Sequence, residues 1–126
     1  MFTRRGGQCH YIWDEKFYVC GEGLYHFDNG HWSEEPNQGF FLNKIRGSAE
    51  NNIFAVGAFG SCMHYNGSTW RSYNNLQISG SLYGLSVTNN CIITVGQINN
   101  RAIIIRGKIL KKEKPLLKTL LEVYIF

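Results

Sequence analysis

Cysteine and histidine side chains are the first candidates for chemistry in this chain, because both residue types bind metals. The candidate ligands are Cys9, His10, His26, His31, Cys62 and His64. A structural zinc site usually shows ligands paired two to four residues apart in two places, and here only Cys62-x-His64 has that spacing along a strand. We therefore predict no metal site. Because His26 and His64 fall at equivalent positions of a repeat, we expect them to pack or to form hydrogen bonds.

Carboxylates are the second candidates, since glycoside hydrolysis needs a pair of them. Most of the available ones fall in turns or in the outer strand of the first repeat: Asp14, Glu15, Glu22, Asp28, Glu34, Glu35 and Glu50. A sialidase-like enzyme would also need arginines along a central channel, and Arg46 is the one inner-strand candidate. No glycine-rich phosphate loop and no nucleophile elbow occurs in the sequence. The sequence predicts no enzyme, no catalytic or cofactor-binding residues and no cofactor.

A threefold repeat supplies the elements that carry these residues. Residues 13–21, 49–57 and 88–96 align without a gap, and their glycines Gly21, Gly57 and Gly96 are 36 and 39 residues apart. A period near 40 residues with strand content is typical of a β-propeller blade. The predicted fold is all-β, with about three four-stranded antiparallel blades of a partial propeller. The three glycines are expected at equivalent positions between the second and third strands.

The predicted blades cover residues 6–39, 40–78 and 79–110 of a unit spanning residues 1–110, and residues 1–5 resemble an outer strand. Trp32 and Trp70 open equivalent outer strands, and we expect both rings to be largely buried. Residues 111–126 form a separate tail in which one helical stripe carries Leu116, Leu117, Leu120, Leu121 and Tyr124. This stripe predicts a short amphipathic C-terminal helix. A strand packed on the last blade and a helix that docks a partner or a membrane surface are the alternatives.

Composition narrows the class of protein further. The chain has 126 residues, of which 44% are hydrophobic and 17% charged, as expected for one globular domain. Its net charge of +4 is concentrated in residues 107–126, which hold five basic and two acidic residues without alternating aromatics, so nucleic-acid binding is not predicted.

There is no signal peptide and no membrane-spanning run, so the chain as written is expected to be cytoplasmic, or exported if it is a piece of a longer protein. The four cysteines are expected to be free thiols, with a disulfide as the alternative.

The repeat also carries a family resemblance. Residues 45–57, followed by residues 63–70, resemble repeats of bacterial β-propeller proteins in the group that includes BNR-repeat and photosystem-assembly-factor-like proteins. Residues 101–107 look like the last-blade ending of such proteins, and the resemblance covers roughly residues 11–107. It implies a propeller, in a group that ranges from surface binding proteins to assembly factors to glycosidases.

The Asp-box of sialidase-like propellers is the most specific motif of that group, and this chain matches only its second half. Gly67, Thr69 and Trp70 fit the motif, but Met63 and Tyr65 stand where it has Ser or Thr and then Asp. No catalytic residue is therefore carried over from the resemblance.

The expected function is a non-catalytic binding or assembly module that presents blade loops to a protein or glycan ligand. The loop residues expected to contact the ligand are Glu22, Phe40, Phe59, Gln97 and Asn99. The alternative is a part of a glycoside-acting, sialidase-like propeller enzyme.

Closure of the propeller adds an expectation about partners. Three blades fall short of the four to eight that propellers use, and they leave two apolar end faces. We expect Phe17, Tyr18 and Tyr25 on one end face and the isoleucines of residues 92–105 on the other. The chain is then either a homodimer that closes a ring, with a last strand that could come from the partner's segment around Phe2, or a fragment of a longer propeller.

Overall fold

The computed structural model of the protein describes residues 9–13, 15–35, 41–73, 79–111 and 117–126. The strands of this part form three antiparallel four-stranded sheets, each built from consecutive strands. Sheet 1 contains β1 (Cys9–Trp13), β2 (Lys16–Cys20), β3 (Leu24–Asp28) and β4 (His31–Glu34). Sheet 2 contains β5 (Leu42–Ala49), β6 (Asn52–Gly57), β7 (Cys62–Tyr65) and β8 (Trp70–Ser72). Sheet 3 contains β9 (Ser81–Val87), β10 (Cys91–Ile98), β11 (Arg101–Lys111) and β12 (Leu117–Ile125).

The prediction of an all-β chain with three four-stranded antiparallel repeats is confirmed. The described residues form neither a closed barrel nor a closed propeller, but the sheets pack in chain order, with β5 against β1 and β2, and β9 against β5 and β6. Sheet 2 therefore lies between the other two. Its second strand is buried along its whole length, whereas β10 of sheet 3 alternates between buried and exposed residues.

Two apolar clusters hold the stack together, one on each side of sheet 2. We call the face of sheets 2 and 3 that packs on the preceding sheet the leading face, and the opposite face the trailing face. In sheet 1 the trailing face packs on sheet 2, and the leading face is the other one. Between sheets 1 and 2, the trailing face of sheet 1 and the leading face of sheet 2 bury Tyr18, Cys20, Leu24, Leu42, Ile45, Ile53, Ala55 and Met63. Between sheets 2 and 3, the corresponding pair of faces buries Phe54, Val56, Cys62, Leu82, Ile92, Ile103 and Ile105.

Gly57 and Gly96 are at equivalent positions, as the sequence alignment predicts, but they belong to the second strands and do not lie between the second and third: Gly57 is the last residue of β6, and Gly96 is inside β10. Gly57 lies opposite Leu42 and Gly96 lies opposite Leu82, so each pairs with a buried leucine of the first strand of its sheet. A Cβ atom at Gly57 would collide with the Phe41 carbonyl oxygen, and one at Gly96 with the Ser81 carbonyl oxygen. Gly21 directly follows β2, four residues after Phe17, as Gly57 follows Ile53. The spacing of these glycines is therefore set by close backbone approach beside the first strand.

The predicted C-terminal helix is wrong, because residues 117–125 form the fourth strand of sheet 3. Strand β12 pairs with β11 from Ile103↔Ile125 to Lys111↔Leu117. Without it, β11 would have an unpaired edge along the backbone hydrogen-bonding direction. Val123, Tyr124 and Ile125 are β-branched or aromatic and favour a strand, so tertiary pairing overrides the helical spacing of the leucines. The strand alternative considered for the tail is the one observed.

The predicted burial of the tryptophans is wrong for Trp32. In register Trp32 and Trp70 are equivalent, since Trp32 pairs with Phe27 and Trp70 with Tyr65. Trp70 is partly buried under sheet 1, but Trp32 is 45% exposed because none of the three described sheets covers its face of sheet 1. The expected end faces also need correction. Tyr18 is only 3% exposed and belongs to the core, while Phe17 is exposed as expected.

The isoleucines of residues 92–105 divide between the two faces of sheet 3, with Ile92, Ile103 and Ile105 buried and Ile93 exposed.

The expectation of four free thiols is wrong for Cys20, which is disulfide-bonded. The backbone register of the β1–β2 hairpin places Cys9 directly opposite Cys20. Cys62 and Cys91 are free. The suggested outer strand in residues 1–5 lies outside the described residues.

Candidate functional site

The loops that follow the second strand of each sheet lie along one edge of the stack, which we call the loop edge. It comprises residues 21–23, 58–61 and 99–100. Backbone hydrogen bonds tie the first two of these loops to the strand starts of the following sheet, from Leu42 N to Gly21 O at 2.8 Å and from Gly60 N to Gly80 O at 2.9 Å. With stacked sheets about 10 Å apart, the three loops form a row.

Three of the five predicted contact residues lie on this edge and are exposed: Glu22, Phe59 and Asn99. Gln97 is also exposed, but it belongs to strand β10, two residues before Asn99. The fifth, Phe40, lies outside the described residues, and its neighbour Phe41 is exposed. The Gln97 side-chain amide donates to Asn100 Oδ1 at 3.4 Å, so the β10–β11 turn presents amide groups beside the row. The structure therefore brings the described candidates to one surface without packing them into a single pocket.

Phe59 is the most unusual residue of the loop edge. Its φ of 57° and ψ of 33° lie in the left-handed region, which costs a non-glycine residue about 1–2 kcal/mol. The ring gains little burial in return, because the residue is 61% exposed. The loop is held by backbone hydrogen bonds from Ser61 N to Ala58 O and from Gly57 N to Ser61 O, both 3.0 Å. A strained backbone thus displays an aromatic ring in a fixed place.

Asn99 and Asn100 form the two-residue turn of the β10–β11 hairpin, with φ of 49° and 62°. Positive φ at both central residues is typical of a type I′ turn, which matches the twist of the strands, and asparagine tolerates it better than most residues. The Asn29-Gly30 turn of sheet 1 has the same signs, with φ of 53° and 79°. Turn chemistry alone accounts for Asn99.

Phe59 and Gly60 also have positive φ, 57° and 69°, in a turn closed by the Ser61 N to Ala58 O bond. This turn accounts for the left-handed backbone of Phe59, but not for an aromatic residue at a position where asparagine or glycine is favoured.

The described Cys and His residues that the sequence offers as metal ligands do not form a cluster. Among the residues that the structure describes, no cluster of three or more His, Cys, Asp or Glu side chains could hold a metal ion. Burial raises the pKa of the Cys62 thiol to about 12, which opposes the thiolate that a metal would need. His26 Nδ1 contacts the Glu35 carboxylate. His64 lies on the trailing face of sheet 2, stacked on the Phe54 ring at 4.3 Å between centroids.

His64 belongs to a buried hydrogen-bond network, in agreement with the expected packing or hydrogen-bonding role of this position; the sequence analysis names no partner for it. Asn52 donates from Nδ2 to Ser48 Oγ at 2.7 Å and to Thr88 O at 3.1 Å, which leaves its Oδ1 to accept from His64 Nε2 at 2.9 Å. Burial, with a smaller contribution from the charge of Arg71, lowers the pKa of His64 to about 4. His64 is therefore neutral at pH 7 with its proton on Nε2, and this network ties sheet 2 to sheet 3.

The edge opposite the loop edge carries a concavity. It is an open groove of about 560 Å³ between sheets 1 and 2, lined by Lys16, Ala49, Glu50, Asn51, Tyr65 and Gly67. Lys16 Nζ donates to Glu50 Oε2 at 2.9 Å and lies 3.9 Å from Asp28 Oδ2. Because the charges in the groove neutralise one another, it offers no isolated charge for a ligand.

Comparisons with known proteins do not extend the family resemblance. The chain matches no protein-family model, no curated protein and no solved structure. Membership of the BNR-repeat propeller group therefore remains a prediction from the residues themselves. Within the described residues, none of the helices has the length and apolar character needed to cross a membrane.

Proposed function

We propose that the three sheets are blades of a propeller and that the protein is a non-catalytic binding or assembly module. Its loop edge contacts a protein or glycan ligand through Phe59, with Glu22, Gln97 and Asn99 as polar neighbours. The observation that carries this proposal is the conformation of Phe59, an exposed aromatic ring on a strained backbone. Strain at a position that contributes little to the core is typical of functional sites.

The physical advantage of such a residue is pre-organisation. An aromatic ring supplies a large contact area with few rotatable bonds, and a loop fixed by backbone hydrogen bonds loses little further entropy on binding. Aromatic residues also dominate the energetics of binding surfaces. The amide groups of the β10–β11 turn and the Glu22 carboxylate can supply hydrogen bonds around that ring.

The positions of the described carboxylates support a non-catalytic role. Glu35 contacts His26, while Asp28 and Glu50 neutralise Lys16 on the edge away from Phe59. Glu22 stands on the loop edge itself. Glycoside hydrolysis would require two carboxylates facing each other across a bond, about 5–10 Å apart. Asp28 and Glu50 are close enough to each other to meet that distance, but both contact the Lys16 cation, so they give no specific support to the glycosidase alternative.

Phe59→Asn separates a ligand-binding role from a structural one. Asparagine tolerates left-handed φ, so we expect the free energy of unfolding to stay the same or to rise by up to about 1 kcal/mol. Binding should be lost on a glycan array, or in a quantitative comparison of proteins retained by the immobilised wild type and variant. Tyr83→Asn is the matched control, because Tyr83 is exposed on β9 and should change neither measurement.

Two results would overturn the proposal. If Phe59→Asn lowered the free energy of unfolding by more than about 1 kcal/mol in urea melts, the ring would be part of the core. Turnover of a glycoside by the wild type that is lost in Glu22→Gln would replace a binding module with an enzyme.

A further inference from the structure

The leading face of sheet 1 exposes a continuous apolar row across all four of its strands. The row consists of Ile12, Phe17, Phe27 and Trp32, which are direct neighbours in register. The Phe17 and Phe27 rings stack with centroids 5.9 Å apart, and the Phe27 and Trp32 rings are 4.9 Å apart. Ile12, Phe17 and Trp32 are each more than 40% exposed. A row of this kind on a soluble sheet is typical of an interaction surface.

The same row on sheet 2 is covered. Its members are Gly47, Ile53, Tyr65 and Trp70, again direct neighbours in register, with the Tyr65 and Trp70 rings 5.2 Å apart. Sheet 1 covers this row: the Tyr18 ring meets Trp70 nearly edge-on, with centroids 6.3 Å apart and an interplanar angle of 74°. In sheet 2, a leading face that ends in an aromatic pair thus packs against a trailing face.

Within the part of the chain that the structure describes, one trailing face is uncovered, that of sheet 3. Ile93 and Val95 occupy the positions that Tyr18 and Cys20 hold in sheet 1, and that Phe54 and Val56 hold in sheet 2. Those earlier residues are buried under the next sheet, while Ile93 and Val95 are exposed. Ile104 and Tyr124 continue the row from Val95 across β11 and β12. Its nearest ion pair, Arg106 with Glu122 at 3.2 Å, is already neutralised.

We propose that the leading face of sheet 1 docks onto the trailing face of sheet 3 of a second copy of this chain, head to tail. Both contacts between sheets inside the chain join a trailing face to a leading face. The two uncovered faces of the described sheets are the leading face of sheet 1 and the trailing face of sheet 3, so they can form a third contact of the same kind. Two chains can therefore form this contact twice, which gives a closed two-fold assembly. Its six sheets fall within the range of four to eight that closes a propeller. This inference concerns the sheet faces and does not depend on a ligand at the loop edge.

The first test is the mass of the full chain in solution. By sedimentation at micromolar concentration, we expect twice the chain mass of 14.4 kDa. A charge on either uncovered face should dissociate the dimer, so Trp32→Glu and Val95→Glu should each sediment as monomers. Val123→Glu is the matched control: Val123 and Val95 are both 42% exposed on sheet 3, but Val123 pairs with the buried Ile105 on the opposite face. It should remain a dimer.

Mixing the two variants tests the head-to-tail arrangement. In a mixture of Trp32→Glu and Val95→Glu, one interface combines both altered faces, whereas the other combines an intact sheet 1 face with an intact sheet 3 face. The mixture should therefore form a heterodimer, detected by retention of an untagged variant on the tagged one. The pair Ile12→Glu and Tyr124→Glu repeats the test, and a cooperative melt of each variant shows that it is folded.

Three outcomes overturn the proposal. A wild-type chain that sediments as a folded monomer at micromolar concentration has no such interface. A dimer that Trp32→Glu dissociates and Val95→Glu leaves intact joins two sheet 1 faces instead. Assemblies larger than a dimer show that the contact does not close after two chains.

Discussion

The Phe27–Trp32 pair of sheet 1 and the Tyr65–Trp70 pair of sheet 2 occupy equivalent register positions, but among the three described sheets only the second pair has one over it. The two pairs have similar ring separations, 4.9 Å and 5.2 Å. Local strand pairing therefore sets the geometry of each pair, while the neighbouring sheet sets its burial. A repeat in sequence specifies equivalent positions, and the energetic value of each position depends on its place in the stack.

The largest expected effect compares these two tryptophans. Trp70→Ala should lower the free energy of unfolding by about 3 kcal/mol, because it opens a cavity beneath Tyr18. Trp32→Ala, measured at a concentration too low for self-association, should cost less than about 1 kcal/mol because its ring faces solvent. Urea melts of both variants check the difference.

Trp70→Phe sharpens the first comparison. Trp70 Nε1 is buried and has no hydrogen-bond partner in the part of the chain that the structure describes. Phenylalanine keeps an aromatic ring and removes this N–H, so it should cost clearly less than alanine. Equal losses for Trp32→Ala and Trp70→Ala in dilute solution would contradict the assigned burial.

The second comparison concerns the equivalent histidines His26 and His64. Because the pKa of His64 is about 4 in the folded protein and near 6.5 when unfolded, the unfolded chain binds more protons between these values. Stability should therefore be intact above pH 6.5 and fall by about 3 kcal/mol as the pH is lowered to 4. The measurement is urea unfolding of the wild type and of His64→Gln across this window.

His64→Gln should flatten the pH dependence, whereas His26→Gln should leave the contribution of His64 unchanged. Identical pH profiles for the wild type and His64→Gln would show that the imidazole is not kept neutral by the fold.

Much of the fold could be predicted from the sequence, because the signals were local and repeated. The glycines at 57 and 96 mark close backbone approaches, and Asn-Gly or Asn-Asn pairs mark hairpin turns. The tail was mispredicted because leucine spacing fits a helix, and only pairing along β11 decides for a strand. Cys9 and Cys20 are opposite each other only once the β1–β2 register is known.

The candidate site was predictable as a set of loops and not as a geometry. Equivalent loops of a repeat must share an edge, which placed Glu22, Phe59 and Asn99 together. The left-handed conformation of Phe59 had no sequence signal, since aromatic residues rarely adopt it. Asn52 has no sequence signal of a buried role, because its hydrogen bond to Thr88 exists only once sheets 2 and 3 are stacked.

The third prediction tests the polar link between sheets 2 and 3. Asn52→Ala removes three hydrogen bonds and leaves the buried His64 Nε2–H without its acceptor. We expect a loss of about 2 kcal/mol in urea melts, within the range for a buried group that loses its partner. Asn51→Ala, at the exposed neighbouring position, should change stability by less than about 0.5 kcal/mol. If Asn52→Ala lowers the free energy of unfolding no more than Asn51→Ala does, the Asn52–His64 network does not stabilise the stacking of sheets 2 and 3.

The smallest expected effect belongs to Lys16, which stands in sheet 1 where Asn52 stands in sheet 2. Both side chains reach the first turn of the following sheet, Lys16 to Glu50 and Asn52 to Thr88. The Lys16 ion pair is solvent-accessible, so its Coulomb energy is largely offset by hydration and by lost side-chain entropy. Lys16→Met keeps the aliphatic stem and should cost less than about 1 kcal/mol at low salt. A double-mutant cycle with Glu50→Gln should give a coupling energy that disappears in about 1 M NaCl, because salt screens exposed charges. A salt-independent coupling above about 2 kcal/mol would instead make this link equivalent in strength to the buried Asn52 network.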